Sequence, residues 1–328
     1  MKIPTGNIVP LYTLFSKNGI VEPGQMKILV DHVYFNGANS IFVLGSTGEG
    51  LYFMEKPEQK AIVLKSVQET NDQWAQPLLV GAYGESPGEV AQDIEFILQY
   101  IKNPFLVVPP PVHKHLNLEE QKSHYSEIFD RVSHPIFLYN NPDRFGKTNL
   151  DPNLCAYLKK YSNFVGLKDS SESNSNKKEY LKHLDERCSI SCGKEGSIGS
   201  FFKMIPQDSR KYAGMIPSIS NVVNSFEKVW KQALAGKDDE MLETQKEINN
   251  FRNKIYHSEI GTGKAQRGGK YALYYLSKKY GGKEELSPLV SPELDRPMDP
   301  AIKHRIETTV DWCVENKHVN LKAFKKTQ

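Results

Sequence analysis

The 328-residue chain sets 42 Lys and Arg against 39 Asp and Glu, a formal charge of +3. That near balance, with the basic residues spread along the chain, excludes the electrostatic footprint of a nucleic-acid binder, and no apolar run reaches the length of a membrane span. The opening "MKIPTGNIVPLYTLF" is broken by Gly, Asn and Pro and does not read as a signal or transit peptide. Four irregularly spaced cysteines, Cys155, Cys188, Cys192 and Cys313, fit reduced thiols of a cytoplasmic protein better than a disulfide framework. Cys188 and Cys192 read as strand residues in a core, since no second pair of ligands accompanies them for zinc.

Taken in chain order, short apolar and β-branched runs alternate with longer amphipathic ones. The runs are "NIVPLYTLF" (7–15), "SIFVLGS" (40–46), "PLLVGAYG" (77–84), "PFLVVPP" (104–110), "HPIFLYNNP" (134–142), "FVGLKDS" (164–170), "CSISCG" (188–193) and "KYAGMIPS" (211–218). Between them lie segments of helical spacing at 22–37, 54–69, 86–101, 117–132, 151–161, 176–186, 197–205 and 221–236. Several open with Ser, Asp or Asn at an N-cap position and Pro in the first turn. Near-continuous apolar strands in series with helices predict a parallel sheet buried on both faces. Eight such units predict an α/β fold of the (β/α)8 barrel type over residues 1–236. An open doubly wound sheet is disfavoured because no early strand is followed by a Gly-rich dinucleotide fingerprint.

After Gly236 the rhythm changes. The segments 238–258, 268–282 and 299–317 predict three helices, with a Pro-rich, charged stretch at 284–300, and residues 237–328 are expected to pack on the barrel as a C-terminal helical extension. Within it "GTGKAQRGGK" is not a phosphate loop, since Ser258 and Ala265 occupy positions that need Gly and Ser or Thr.

A barrel carries its chemistry at the C-terminal ends of its strands. There the second run ends in "GSTGEG", where glycines permit close backbone approach and Ser46 and Thr47 can hold a carboxylate. The fifth ends in "LYNNPDR", offering the phenol of Tyr139 and the guanidinium of Arg144. The sixth ends in Lys168. An ammonium taken into an apolar barrel mouth is desolvated, which favours the neutral amine and lets it attack a carbonyl. The competing reading is a lysine that snorkels to solvent or pairs with Asp169. An amine, a phenol and a hydroxyl-rich anion cradle at one mouth together describe Schiff-base chemistry on a 2-oxo acid.

With "GSTGE", "YNNP", "GLKDSS" and "GMIPSISNV" in this order and spacing, the chain resembles the pyruvate-dependent class I aldolases, the family of N-acetylneuraminate lyase and dihydrodipicolinate synthase. The resemblance implies that Lys168 forms an imine with pyruvate, that Tyr139 relays protons, and that Ser46 and Thr47 bind the pyruvate carboxylate. It implies that Gly193 and Ile216 face the ligand and that Arg144 matches an arginine for an aldehyde carboxylate. It further implies small-molecule 2-oxo acid and aldehyde partners, no metal, no organic cofactor, and a homo-oligomer, either tetramer or dimer. Two departures stand out: Ser46 replaces the usual Thr of the synthases, and Pro110 and Pro111 fall where those enzymes carry a tyrosine pair. His113 and His115 read as loop residues. The expected substrate is therefore a 2-keto-3-deoxy sugar acid or sialic-acid-like compound. The alternatives are 4-hydroxy-tetrahydrodipicolinate synthase, or an inactive member acting as a regulator or binding protein.

Overall fold

In the computed structural model, which describes residues 2–281 and 285–325, eight parallel strands close into a barrel in sequence order. They are β1 (Gly6–Pro10), β2 (Ser40–Val43), β3 (Leu78–Gly81), β4 (Phe105–Val108), β5 (Ile136–Asn140), β6 (Phe164–Asp169), β7 (Ser189–Cys192) and β8 (Gly214–Met215). Each strand is followed by a helix: α1 (Pro23–Phe35), α2 (Pro57–Trp74), α3 (Pro87–Leu98), α4 (Leu118–Arg131), α5 (Pro152–Leu158), α6 (Asn174–Leu181), α7 (Ile198–Lys203) and α8 (Ser225–Leu234). The helix starts follow the local chemistry. Ser86 accepts from the Glu89 N–H to cap α3, and Asn117 and Glu120 form a reciprocal capping box at α4. Strand β1 ends at Pro10, short of the apolar run that continues to Phe15, and β8 holds two paired residues.

Side chains alternate between two cores, as a period of two requires. Ile8, Phe42, Leu79, Phe105, Val107, Phe137 and Tyr139 fill the barrel interior. Val9, Ile41, Val80, Leu106, Leu138, Leu167 and Ile190 face the helices in a second, larger core. Cys188 and Cys192 belong to that outer core, where burial pushes both thiols up to about 12 and makes them poor nucleophiles. The interior is lopsided: aromatic rings project from β2, β4 and β5, whereas Gly166, Ser189, Ser191 and Gly214 leave β6 to β8 small. A Cβ on Gly166 would meet Phe137 at 2.5 Å, so the rings use the space the glycine leaves.

One irregularity decides the placement of the sixth-strand lysine. Between β5 and β6 the register shifts after Ile136, so that Phe137 pairs with Gly166 and Tyr139 with Lys168. Had the pairing of Ile136 with Phe164 continued unshifted, Tyr139 would lie opposite Leu167. A bulge that changes which side chains share a face is a positioning device.

The last part of the chain forms α9 (Asp238–Ile255), α10 (Lys264–Tyr280), α11 (Pro300–Glu315) and α12 (Lys322–Lys325). Helix α9 packs on α7 and α8, α11 on α9 and α10, and α12 on α1. The charged stretch expected at 284–300 begins at residue 284, which lies outside the described residues. The glycines of "RGGK" serve helix packing: a Cβ on Gly268 would strike the Ile255 carbonyl, and one on Gly269 the Tyr12 hydroxyl.

Candidate active site

Lys168 is 5 % exposed at the C-terminal end of β6. Its ammonium lies 4.0 Å from the ring centroid of Tyr139 and 4.9 Å from that of Phe42. Two faces of aromatic carbon replace water around the charge, and their quadrupoles partly offset its desolvation. Tyr139 is held edge-on by Phe145, with ring centroids 5.1 Å apart. Its hydroxyl lies 2.9 Å from the Ser46 hydroxyl and accepts from Asn141 Nδ2 at 3.1 Å. Burial alone would push the phenol up; the Lys168 ammonium and the hydrogen bonds of Ser46 and Asn141 outweigh it, so Tyr139 ionises below the usual tyrosine range.

Ser46 and Thr47 come from a strained loop. Leu44 and Glu49 both take left-handed backbone conformations, with φ of 55° and 59°, which non-glycine residues keep only where their surroundings hold them. Here Leu44 O accepts from the Tyr83 hydroxyl at 2.6 Å, Gly48 O from Thr13 Oγ1 at 2.8 Å and Ser46 O from Gln266 Nε2 at 2.9 Å. The buried Glu49 carboxylate pairs with Lys270 of α10 and accepts from the Ser291 N–H at 2.6 Å. A Cβ on Gly48 would stand 2.6 Å from Leu11 O, so this glycine is required for close approach. Thr47 Oγ1 in turn lies 3.0 Å from Ser218 Oγ, which joins the loop after β8 to the loop after β2.

The remaining expected residues divide. Gly193 sits above β7, its N–H donating to Asp169 O at 2.7 Å; a Cβ there would stand 3.0 Å from Lys168 Cε and would strike Ser170 Oγ. Ile216 is buried in the barrel interior with Tyr139 and Phe42. Arg144 stands apart: it lies exposed in the turn after β5 and makes no ion pair among the described residues. Pro110 and Pro111 are buried after β4, and the next residues are tied by the Glu85 carboxylate, which accepts from the Val112 and His113 N–H groups at 3.1 and 3.2 Å. His113 points its ring at the same carboxylate, and His115 is exposed.

Asn141, Ser218 and Glu195 are functional candidates that sequence reasoning passed over. Glu195 accepts from the Ile219 N–H at 2.7 Å; part of its surface stays open, yet burial outweighs Arg252 and that hydrogen bond and pushes its carboxyl up to about 7. Asn141 and Ser218 left a signal in the sequence, since they lie within "YNNP" and "GMIPSISNV". Among the described residues no group of three or more His, Cys, Asp and Glu side chains gathers as a metal set. None of their helices is long and apolar enough to cross a membrane.

A closed (β/α)8 barrel with a buried lysine and a tyrosine hydrogen-bonded to a serine at its mouth defines a class of lyases and aldolases. The chain belongs to the dihydrodipicolinate synthetase family, whose pattern it matches over residues 3–277, and the family's members are pyruvate-dependent lyases and aldolases. It is 27% identical to 4-hydroxy-tetrahydrodipicolinate synthase of Agrobacterium fabrum over 311 residues, 91% of this chain and 97% of the relative. In fold it resembles YagE, a prophage protein of the dihydrodipicolinic acid synthase family from E. coli K12 solved in complex with pyruvate, with a TM-score of 0.79, 19% identity, and 96% and 99% of the two chains covered. A 2-keto 3-deoxygluconate aldolase from Picrophilus torridus superposes with a TM-score of 0.68 at 20% identity, covering 77% of this chain and 88% of its own.

Proposed function

We propose that the chain is a Schiff-base lyase that makes or breaks a carbon–carbon bond at pyruvate C3, with a 2-keto-3-deoxy sugar acid or sialic-acid-like compound as its substrate. The observation that carries the reading is the buried Lys168 ammonium against the Tyr139 ring, with the Tyr139 hydroxyl joined to Ser46. The neutral amine attacks the keto carbon of the 2-oxo acid, water leaves, and an imine forms. Tyr139 and Ser46 carry the proton between the attacking nitrogen and the departing oxygen. The imine then draws electrons: in the sugar-acid imine the C4 hydroxyl gives up its proton, the C3–C4 bond breaks, the aldehyde leaves and an enamine remains; protonation at C3 and hydrolysis release pyruvate, and synthesis runs the steps in reverse. The hydroxyls and N–H groups of the loop holding Ser46 and Thr47 suit the pyruvate carboxylate. No organic cofactor is required, since the imine itself is the electron sink.

The substrate part rests on the rim beyond β6 and β7, where the Ser170 hydroxyl, the Glu172 and Glu195 carboxylates and the Lys194 ammonium suit a polyhydroxylated aldehyde. The second reading, condensation of pyruvate with aspartate semialdehyde, is favoured by the name of the Agrobacterium relative and by the presence of Arg144 in the turn after β5. Incubation with pyruvate and borohydride tests the first part: one reduced imine is expected, mapped to Lys168, and an unmodified protein overturns it. Pyruvate release from 2-keto-3-deoxygluconate and from N-acetylneuraminate, measured beside condensation with aspartate semialdehyde, tests the second. Turnover in the condensation alone overturns the sugar-acid assignment.

A further inference from the structure

The phenol of Tyr139 can donate one hydrogen bond and accept two. Its contact with Ser46 can run in either direction, because each oxygen can donate or accept. The contact with Asn141 cannot: the amide nitrogen only donates, so it occupies an acceptor position of the phenol and can take no proton from it. Asn141 is itself fixed, since its carbonyl accepts from the Arg144 and Phe145 N–H groups at 3.0 and 3.1 Å and Pro142 follows it. The same turn sets the Phe145 ring against Tyr139. Both neighbours of the hydroxyl, and the ammonium over its ring, come from one chain.

We infer that Asn141 is a positioning residue of this site: it pins the Tyr139 oxygen by an obligatory donated hydrogen bond and so directs the phenol's proton toward Ser46 and the Lys168 nitrogen. This rests on the Schiff-base reading for its catalytic meaning. The hydrogen bond strengthens as the phenol becomes a phenolate, because charge-assisted bonds are the stronger ones. Asn141 therefore favours the ionised, proton-accepting form and keeps it aimed into the site. The charged and titratable side chains that bear on Tyr139 among the described residues are Lys168 from β6 and Tyr83 just beyond β3, whose own hydroxyl is committed to Leu44 O. The walls from β2 and from the turn after β5 are the rings of Phe42 and Phe145.

The test reads Tyr139 directly. The chain has 16 tyrosines, so the ultraviolet phenolate absorbance of each protein is titrated with pH and the Tyr139→Phe spectrum subtracted. Asn141→Leu, which removes the donor, is expected to move the Tyr139 titration to higher pH, and Asn141→Asp, which puts an acceptor and a charge there, to move it further. At neutral pH Asn141→Leu is expected to lower kcat about tenfold, the worth of one hydrogen bond to a charged group, with KM for pyruvate little changed. Superimposable titrations for wild type and Asn141→Leu overturn the inference, and so does an Asn141→Asp curve that matches wild type, since then the amide oxygen faces the phenol. Borohydride trapping of pyruvate on the wild-type protein judges the Schiff-base reading separately. A shifted titration without an imine leaves the hydrogen bond standing and removes only its catalytic setting.

Discussion

Replacing Lys270 by Met tests whether the C-terminal extension holds the loop of Ser46 and Thr47. The ammonium donates to the Glu49 carboxylate and to Leu289 O at 3.1 Å, beneath the Phe15 ring at 4.8 Å from its centroid, and both ion-pair partners are buried. Met has nearly the length of Lys and leaves no cavity, so the perturbation is electrostatic. It strips Glu49 of its counter-charge and leaves the Ser291 N–H as its remaining donor among the described residues. Breaking a buried pair from one side costs about 3–5 kcal/mol, a large share of the roughly 5–15 kcal/mol that holds an ordinary protein folded. The double variant Glu49→Gln with Lys270→Met removes both charges while keeping an acceptor for Ser291, and is expected to lose at most about 2 kcal/mol. Urea unfolding followed by circular dichroism measures both. In a pyruvate assay Lys270→Met is also expected to raise KM, because the left-handed turn at Glu49 loses its tether beside Ser46 and Thr47. Equal stability losses in the single and double variants would refute the reasoning, since the pair would then contribute no more than two independent side chains.

Two further perturbations test the site and the core. Gly193→Ala places a methyl against Ser170 Oγ and 3.0 Å from Lys168 Cε; it is expected to cost about 1–3 kcal/mol by overpacking and to slow borohydride trapping at Lys168. The added Ser170→Ala change should restore stability more than trapping, and unchanged trapping in Gly193→Ala would contradict the geometry. His32, on the buried face of α1, lies against Phe324, and burial holds its pKa at about 4, below the ordinary 6.5, against the opposing effect of the backbone at Val222 and Asn221. The unfolded chain then binds the proton first. The stability from neutral His32 is intact above about pH 6.5 and is lost as pH falls toward about 4, a window His124 shares for the same reason. Urea unfolding at acid and neutral pH should show a smaller acid loss in His32→Leu; an identical loss would mean that His32 is charged when folded.

The barrel was legible because its strands are apolar runs of β-branched and aromatic residues and four of its helices, α3 to α6, open with a side-chain cap. Lys168 was legible as an anomaly, a cation at the end of "FVGL", and Ser46, Thr47 and Tyr139 by their places at other strand ends. The rest depends on contacts that no local pattern encodes. Glu49 and Lys270 are 221 residues apart, and either reads as an ordinary surface charge in its own segment. The extra residue in β6 that sets Lys168 beside Tyr139 is invisible in a strand where every side chain is apolar or small up to the lysine. Asn141 was passed over because its work is done by a side chain folded back onto its own strand. Arg144, five residues after Tyr139, stands exposed in the turn at the C-terminal end of β5.

The tether of Glu49 also fixes an order of events during synthesis. Ser291 follows Glu49 by 242 residues, which at about 5–20 residues per second means a delay on the order of tens of seconds on the ribosome. In the later part of that interval, once Met215 has completed β8, all eight strands can exist while the turn bearing Ser46 and Thr47 still lacks Gln266, Lys270 and Ser291. The nascent barrel is therefore built before the turn of Ser46 and Thr47 is tethered, and that tether forms only when the last helices arrive.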